Sequence, residues 1–441
     1  MILATRDGSD RRCYSRFVRV GRLLLLAAVA ALAMPSGALG AVQRLVYRTG
    51  PIQVGAFGVV QAAQRADSPQ ADGYVVGMSA DVVDAAGNVV PADHVMLHHI
   101  VFGKVMYPDL TCTTFRGYDG RATPFPVQRF YAEGEERTQL ALPDGYGYPN
   151  RGTDVWGLLY MLMNHHAFDQ TVYIRYTVRY VTDETLIPVK PYWFDVRNCS
   201  ADPIFTVPGT GGAGATYQQH ADFTMPESGR FVAGGAHLHG GGISVDVSDA
   251  TCGGSLYTSY PTWGGFEPVP ILHEPSPLSM TQLSDAAGRP VRAGDVIRIT
   301  ATYDDSRPHM RVMGISMLYL APGPVSSCES FVSPHPPPTQ PQQVSVMLLK
   351  KPSGPLARTR STWVGDYRYG VQRVLLRRGT TFTWRFVGQV AHDVTLATGP
   401  AGLASPSMVR GTYRYRFTRP GVYRLFCSLH PTRMTQIVTV R

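Results

Sequence analysis

The residues of this 441-residue chain best equipped for chemistry are its histidines, its methionines and one odd cysteine, and they fall in short groups. His237-Leu238-His239 lies between Gly234-Gly235 and Gly240-Gly241-Gly242. Side chains two apart on a strand share a face, so the two imidazoles can meet at one point. The glycines let the backbone bend or come close there. Two neutral imidazoles suit copper or zinc; on the pair alone, half of a copper site and a pair of surface histidines in a Gly-rich turn weigh equally. A second group is Cys427-Ser428-Leu429-His430 with Met434 just beyond, and His392 stands 35 residues before Cys427. A thiolate, two imidazoles and a weak thioether make a mononuclear copper site that shuttles one electron and has no open position for a substrate. A third group is His98-His99 in an apolar stretch. Neighbours on a regular strand point to opposite faces, so joint ligation there needs a bulge or a strand end. His165-His166 follow, and Met310 and Met313 lie in a late run, where a thioether suits copper(I). His94, His220, His273, His309 and His335 read as surface or loop residues. Met96, Met161, Met163 and Met317 read as core fillers.

These groups need β-structure to hold them. Strands are expected at Gly73 to Val83, Val89 to His99 and Val172 to Tyr180, the last alternating Ile174, Tyr176, Val178 and Tyr180 against Tyr173, Arg175, Thr177 and Arg179. Further strands run from Ile243 to Val247, Val296 to Tyr303 and Val312 to Leu320, with no long amphipathic helix. An all-β fold of antiparallel sandwiches follows. Arg11 to Arg22, the apolar run Leu23 to Met34 and the small residues to Ala41 have the pattern of an export signal over 1–40. That run is short for a bilayer and no later one is longer, so no integral membrane span is expected and the chain reads as exported to the periplasm or beyond the cell. The oxidising compartment lets cysteines pair. Sequence order and the domain reading favour Cys112–Cys199 and Cys252–Cys328, leaving Cys427. Boundaries fall near 203 and in the Pro-rich stretch 329–342, giving sandwiches over 41–202, 203–328 and 343–441.

Charge divides the same way. The chain carries +9 overall, yet 343–441 holds sixteen Lys and Arg against only Asp366 and Asp393, which leaves the 41–342 body acidic. Opposite fields on tethered parts steer their association. The arginines are scattered over strands without a recognition motif, so no nucleic-acid partner is expected.

The terminal segment resembles the cupredoxins of the plastocyanin type on Cys427, His430, Met434 and His392. The resemblance implies a Greek-key sandwich whose ligands are these four residues. The body, over about 43–328, resembles the copper type II, ascorbate-dependent monooxygenases, the family of peptidylglycine α-hydroxylating monooxygenase and dopamine β-hydroxylase. That implies two jelly-roll sandwiches with a copper in each. His98, His99 and either His165 or His166 would hold the electron-transferring copper; His237, His239 and Met313, with Met310 as the alternative, would hold the oxygen-binding one. About three coppers per chain are implied. The sequence departs from the peptide-amidating members where their arginine is Gly235 and their substrate-contacting Asn and Tyr are Ile315 and Met317, so a peptide carboxylate lacks its anchor. The expectation is an exported copper monooxygenase-like protein with a fused cupredoxin donor, acting on an unknown small molecule with an external reductant. The competing expectations are a non-enzymatic copper electron-transfer protein and a structural β-array with vestigial ligands.

Overall fold

A computed structural model describes residues 41–116, 121–263, 274, 277–332 and 350–441. The expected signal, most of the Pro-rich stretch, His273 and His335 lie outside them. The described residues from 41 onward belong to one compact unit, all of whose regular elements are strands. No helix among them is long and apolar enough to cross a membrane.

Three pairs of sheets carry the fold. In the first, Gln43–Val54, Gln170–Val181, Gly73–Val83 and Tyr146–Asn150 form one layer and Val59–Ala66, Trp156–Asn164, Val95–Val105 and Val127–Gly134 the other. The alternation along Gln170–Val181 buries Ile174, Tyr176, Val178 and Tyr180 and turns Arg175 and Arg179 outward, the period-2 pattern of a strand with one face on a core. The strand expected at Val89 to His99 starts instead at Val95 and runs to Val105. Pro91 has no N–H to give a ladder, and its carbonyl accepts from His94 and Val95 in a turn.

The second pair sets Lys190–Asp195, Gly314–Pro322, Gly229–Leu238 and Leu283–Val291 against Thr216–Thr224, Val296–Asp304, Gly242–Asp249 and Gly254–Ser259. Lys190–Asp195 precedes the expected boundary near 203 but pairs with Gly314–Pro322, which takes up the backbone hydrogen bonds of this buried strand. The first two pairs share one continuous apolar core, and the Tyr319 hydroxyl donates to Phe130 O across it at 2.8 Å. Disulfides Cys112–Cys199 and Cys252–Cys328 close loops of 87 and 76 residues, each limiting the unfolded chain by about 4.5 kcal/mol on the loop-entropy account. The third pair, over 361–440, has its own core around Trp384, Phe417 and Tyr423.

Candidate metal centres

His392 ends the strand Thr381–His392, while Cys427 follows Gly421–Phe426 and opens the loop that returns as Thr435–Val440. That loop is pinned by its own backbone: Cys427 N donates to Met434 O at 3.0 Å, His430 N to Cys427 O at 3.1 Å and Met434 N to His430 O at 3.0 Å. Cys427 Sγ stands 3.6 Å from His430 Nδ1 and 3.9 Å from His392 Nδ1, and the two Nδ1 atoms are 3.1 Å apart. Donors bound at about 2.0–2.3 Å to one ion are separated by roughly 3–4 Å, so these three fit a common metal. Asp393 N donates to the thiol sulfur at 3.4 Å, and Asp393 also accepts from Ser428 N at 2.9 Å, which fixes the residues beside His392 and Cys427. Burial pushes the Cys427 thiol up and both imidazoles down. The imidazoles are therefore neutral, the form in which they can ligate a metal, and the buried thiol needs a nearby cation to ionise. Met434 is fully buried in the same core.

In the body, the strand Val95–Val105 is bulged at the histidine pair. On the facing strand Met161 lies opposite His99 and Leu162 opposite Leu97, which leaves His98 as the extra residue. A bulge re-aims side chains that a regular strand would send to opposite faces, and the two Nδ1 atoms come within 3.1 Å. From the second sheet pair, Gly229–Leu238 places His237 opposite Ile315. His239 follows the strand end, its N–H donating to Tyr303 Oη at 2.9 Å. The Nε2 atoms of His237 and His239 are 2.9 Å apart, and the rings of His98 and His239 meet edge to face with centroids at 5.1 Å.

His99, His98, His239 and His237 thus form one contiguous cluster. The resemblance implies two coppers held apart in separate sandwiches; here both histidine pairs meet where the sandwiches abut, because the bulge turns one pair toward the other. His166 packs edge-on to His94 at 4.5 Å and stacks on Phe168. His165 is buried, its N–H donating to His94 O at 2.9 Å. Met313 and Met310 both line the cavity that His99 and His237 line; Met313 is buried there, and Met310 also packs against the core of the terminal sandwich.

Two carboxylates absent from the sequence reading join this cluster. Glu135 and Glu136 follow the strand Val127–Gly134 and are both buried. Glu136 Oε2 accepts from His237 Nδ1 at 2.6 Å and is itself braced by Gly134 N and Thr138 Oγ1. That bond fixes the tautomer and presents Nε2 as the donor, the usual support of a metal-ligating histidine. Gly134 is required at this spot: a Cβ there would lie 2.3 Å from His237 Nδ1. His98 Nε2 stands 3.5 Å from Glu135 Oε1. Burial, with His237 adding to it, holds His99 down to about 4, so its ring is neutral at ordinary pH. No spacing signal marks Gly134-Glu135-Glu136, since adjacent acids after a strand ordinarily face water. His309 also departs from its expected surface position: it is buried, Nδ1 at 2.8 Å from Glu274 Oε2, and its ring fills the space where a Cβ on Gly241 would lie.

A cavity of about 1070 Å³ opens off the cluster. His99, His237 and Met313 line it on one side; Ser428 and Leu429, neighbours of Cys427 and His430, line it on another. Val101, Leu159, Met161 and Ile315 make much of the remaining wall apolar.

Residues 160–322 match the family described as Stress up-regulated Nod 19. The chain is 28% identical over 271 residues to a protein named probable copper-dependent oxygenase clz3 of Cochliobolus lunatus, a match spanning 56% of this chain and 79% of that one. It is 28% identical over 292 residues to the probable copper-dependent oxygenase M1 of a Phoma species, spanning 61% of this chain and 70% of that one. Among solved structures, a purple cupredoxin from Nitrosopumilus maritimus aligns over 19% of this chain and 100% of its own with 25% identity and a TM-score of 0.18. A mutant of amicyanin aligns over 18% and 80% with 25% identity and a TM-score of 0.17.

Proposed function

We propose that this protein is an exported, copper-dependent oxygenase whose terminal sandwich delivers electrons to the histidine cluster of the body. The observation that carries the reading is that one cavity is lined both by His99, His237 and Met313 and by Ser428 and Leu429. The donor types fit copper at both: thiolate with two imidazoles at the end of the chain, a cluster of imidazoles in the body. Copper bound in these places supplies one-electron transfer and oxygen chemistry. His392, Cys427 and His430, with Met434, hold the first ion; the body's histidine cluster, His98, His99, His237 and His239, supplies the donors for the copper of the body. The names of the two fungal relatives support the same reaction class.

The chain's own residues prepare the reaction. Glu136 keeps His237 in one tautomer and one orientation. The apolar wall admits a substrate and thins the water around it, which strengthens every polar contact left inside. Insertion of one oxygen atom from O2 into a C–H bond, the other leaving as water, consumes two electrons and two protons, which an external reductant such as ascorbate provides. Gly235 leaves the cavity without the arginine that anchors a peptide carboxylate, so the substrate is another small molecule. Both disulfides suit an oxidising compartment.

The test is copper counting with optical and EPR spectra on wild type and on Cys427→Ser and His237→Ala. Wild type is expected to show an intense blue thiolate band besides the signal of the body centre. Cys427→Ser removes only the band, and His237→Ala only the body signal. A blue band surviving Cys427→Ser overturns the terminal assignment. A fully loaded protein that consumes no oxygen with ascorbate and a substrate panel is an electron-transfer protein instead.

A further inference from the structure

We propose that Glu135 is a direct ligand of the body centre, bound beside His98 and His239. The inference rests on the reading of the histidine cluster as a metal centre and adds a donor that neither the sequence reading nor the proposed ligand set contains. One ligand atom from each of the three residues lies within 4.8 Å of the others, and all three side chains are buried, with relative exposures of 6%, 5% and 1% for His98, Glu135 and His239. They arrive from three separate places: the bulge in Val95–Val105, the turn after Val127–Gly134 and the end of Gly229–Leu238.

The two neighbouring carboxylates behave differently, and the distances say how. Glu136 meets His237 Nδ1 at 2.6 Å, a charge-assisted hydrogen bond. Glu135 Oε1 stands 3.5 Å from His98 Nε2. That is long for an N–H···O bond, whose range is about 2.7–3.2 Å. It is the separation of two atoms each about 2.1 Å from one ion at a roughly tetrahedral angle. Glu136 is thus the positioning residue and Glu135 the ligand. A carboxylate oxygen hardens the donor set, and imidazoles joined by a carboxylate suit a divalent first-row ion better than copper(I). The body centre therefore accepts copper(II), cobalt(II) or iron(II) at this set, and the divalent state is favoured at rest.

The experiment uses the full chain, copper(II) EPR and the visible spectrum of the cobalt(II) form, with wild type, Glu135→Gln and Glu135→Asp, and circular dichroism to confirm folding. Loss of the carboxylate ligand is expected to change the copper hyperfine splitting and the cobalt bands of the body centre in Glu135→Gln and to weaken cobalt(II) binding about a hundredfold, while the Cys427 blue band persists. Unchanged body spectra in Glu135→Gln overturn the proposal, whatever the affinity. If Glu135→Gln does not fold, Glu135→Asp is read the same way: bands shifted by the shorter carboxylate support direct ligation, and bands identical to wild type overturn it. Metal-loaded wild type that takes up no oxygen sinks the oxygenase reading and leaves Glu135 standing. A body that binds neither ion sinks both.

Discussion

Glu136 shows what one residue does for this centre. His237 has two ring nitrogens, and without a fixed acceptor at Nδ1 its donor atom and plane are unsettled. The 2.6 Å bond to Glu136 settles both, and Gly134 leaves the ring the space it needs. Replacing Glu136 with Ala is expected to weaken copper(II) binding at the body centre by roughly 10–100-fold, while Glu136→Gln, which keeps an acceptor oxygen, costs less. Competition with a chelator of known affinity measures both. At the other centre Asp393 has the comparable task, since its N–H reaches the thiol sulfur and its carboxylate holds Ser428 N.

At the scale of an element, the strand Val95–Val105 has to be right at both ends. Its bulge at His98 aims the histidine pair; further along, Lys104 reaches Asp154 at 2.7 Å in a buried pair beside the strand Trp156–Asn164. Burial alone would raise Asp154, but the Lys104 ammonium, the Arg151 N–H and the Tyr107 hydroxyl outweigh it and hold the carboxyl below its ordinary value. A carboxyl depressed in the folded state adds stability above its unfolded pKa and loses it as pH falls through the folded one. The contribution is thus complete at neutral pH and disappears below about pH 4. Asp154→Asn leaves the Lys104 charge buried without its counter-ion and is expected to cost about 3–5 kcal/mol at pH 7. It should also flatten the acid limb of the stability curve. Denaturant unfolding at a series of pH values reads out both effects.

For the whole molecule, the decisive contact is between body and terminal sandwich. The bulk charges, basic at the end and acidic before it, predict attraction between terminal arginines and body acids. Arg419 does reach the body, donating to Thr210 O at 3.2 Å. Beside the terminal centre, however, the pairing runs the other way: body Arg311 lies 3.8 Å from Asp393 and donates to Ser405 O at 3.2 Å. A buried contact is decided by local fit, whereas net charge acts at long range. Gly402 N donates to Pro208 O at 2.9 Å, and Met310 fills the core beside it. Arg311→Ala is expected to leave the blue band in place yet slow electron transfer from the terminal copper to the body several-fold, with a steeper dependence on ionic strength. Pulse reduction of the terminal copper, followed optically, measures this.

Much of the design lies in local pattern. The strand Gln170–Val181 is written in strict alternation, and Cys427, His430 and His392 are identifiable because one loop and one strand end supply them. His237-x-His239 could be read as a pair for the same reason: two side chains on one short stretch of backbone need no distant partner to converge. The need for a bulge at His98-His99 was legible too, since adjacent residues share a face only where a strand breaks register. What tertiary structure alone decided is the meeting of these pairs. His98 and His239 are separated by more than a hundred residues, and only the packing of one sandwich on the other brings their rings to 5.1 Å. The same packing buries Glu135 and Glu136 beside them, although two adjacent acids carry no sign in the chain of the face they take. Donor type is a property of the residue, and the sequence determines it. Which donors share one ion depends on distances between segments remote along the chain, and those the fold sets.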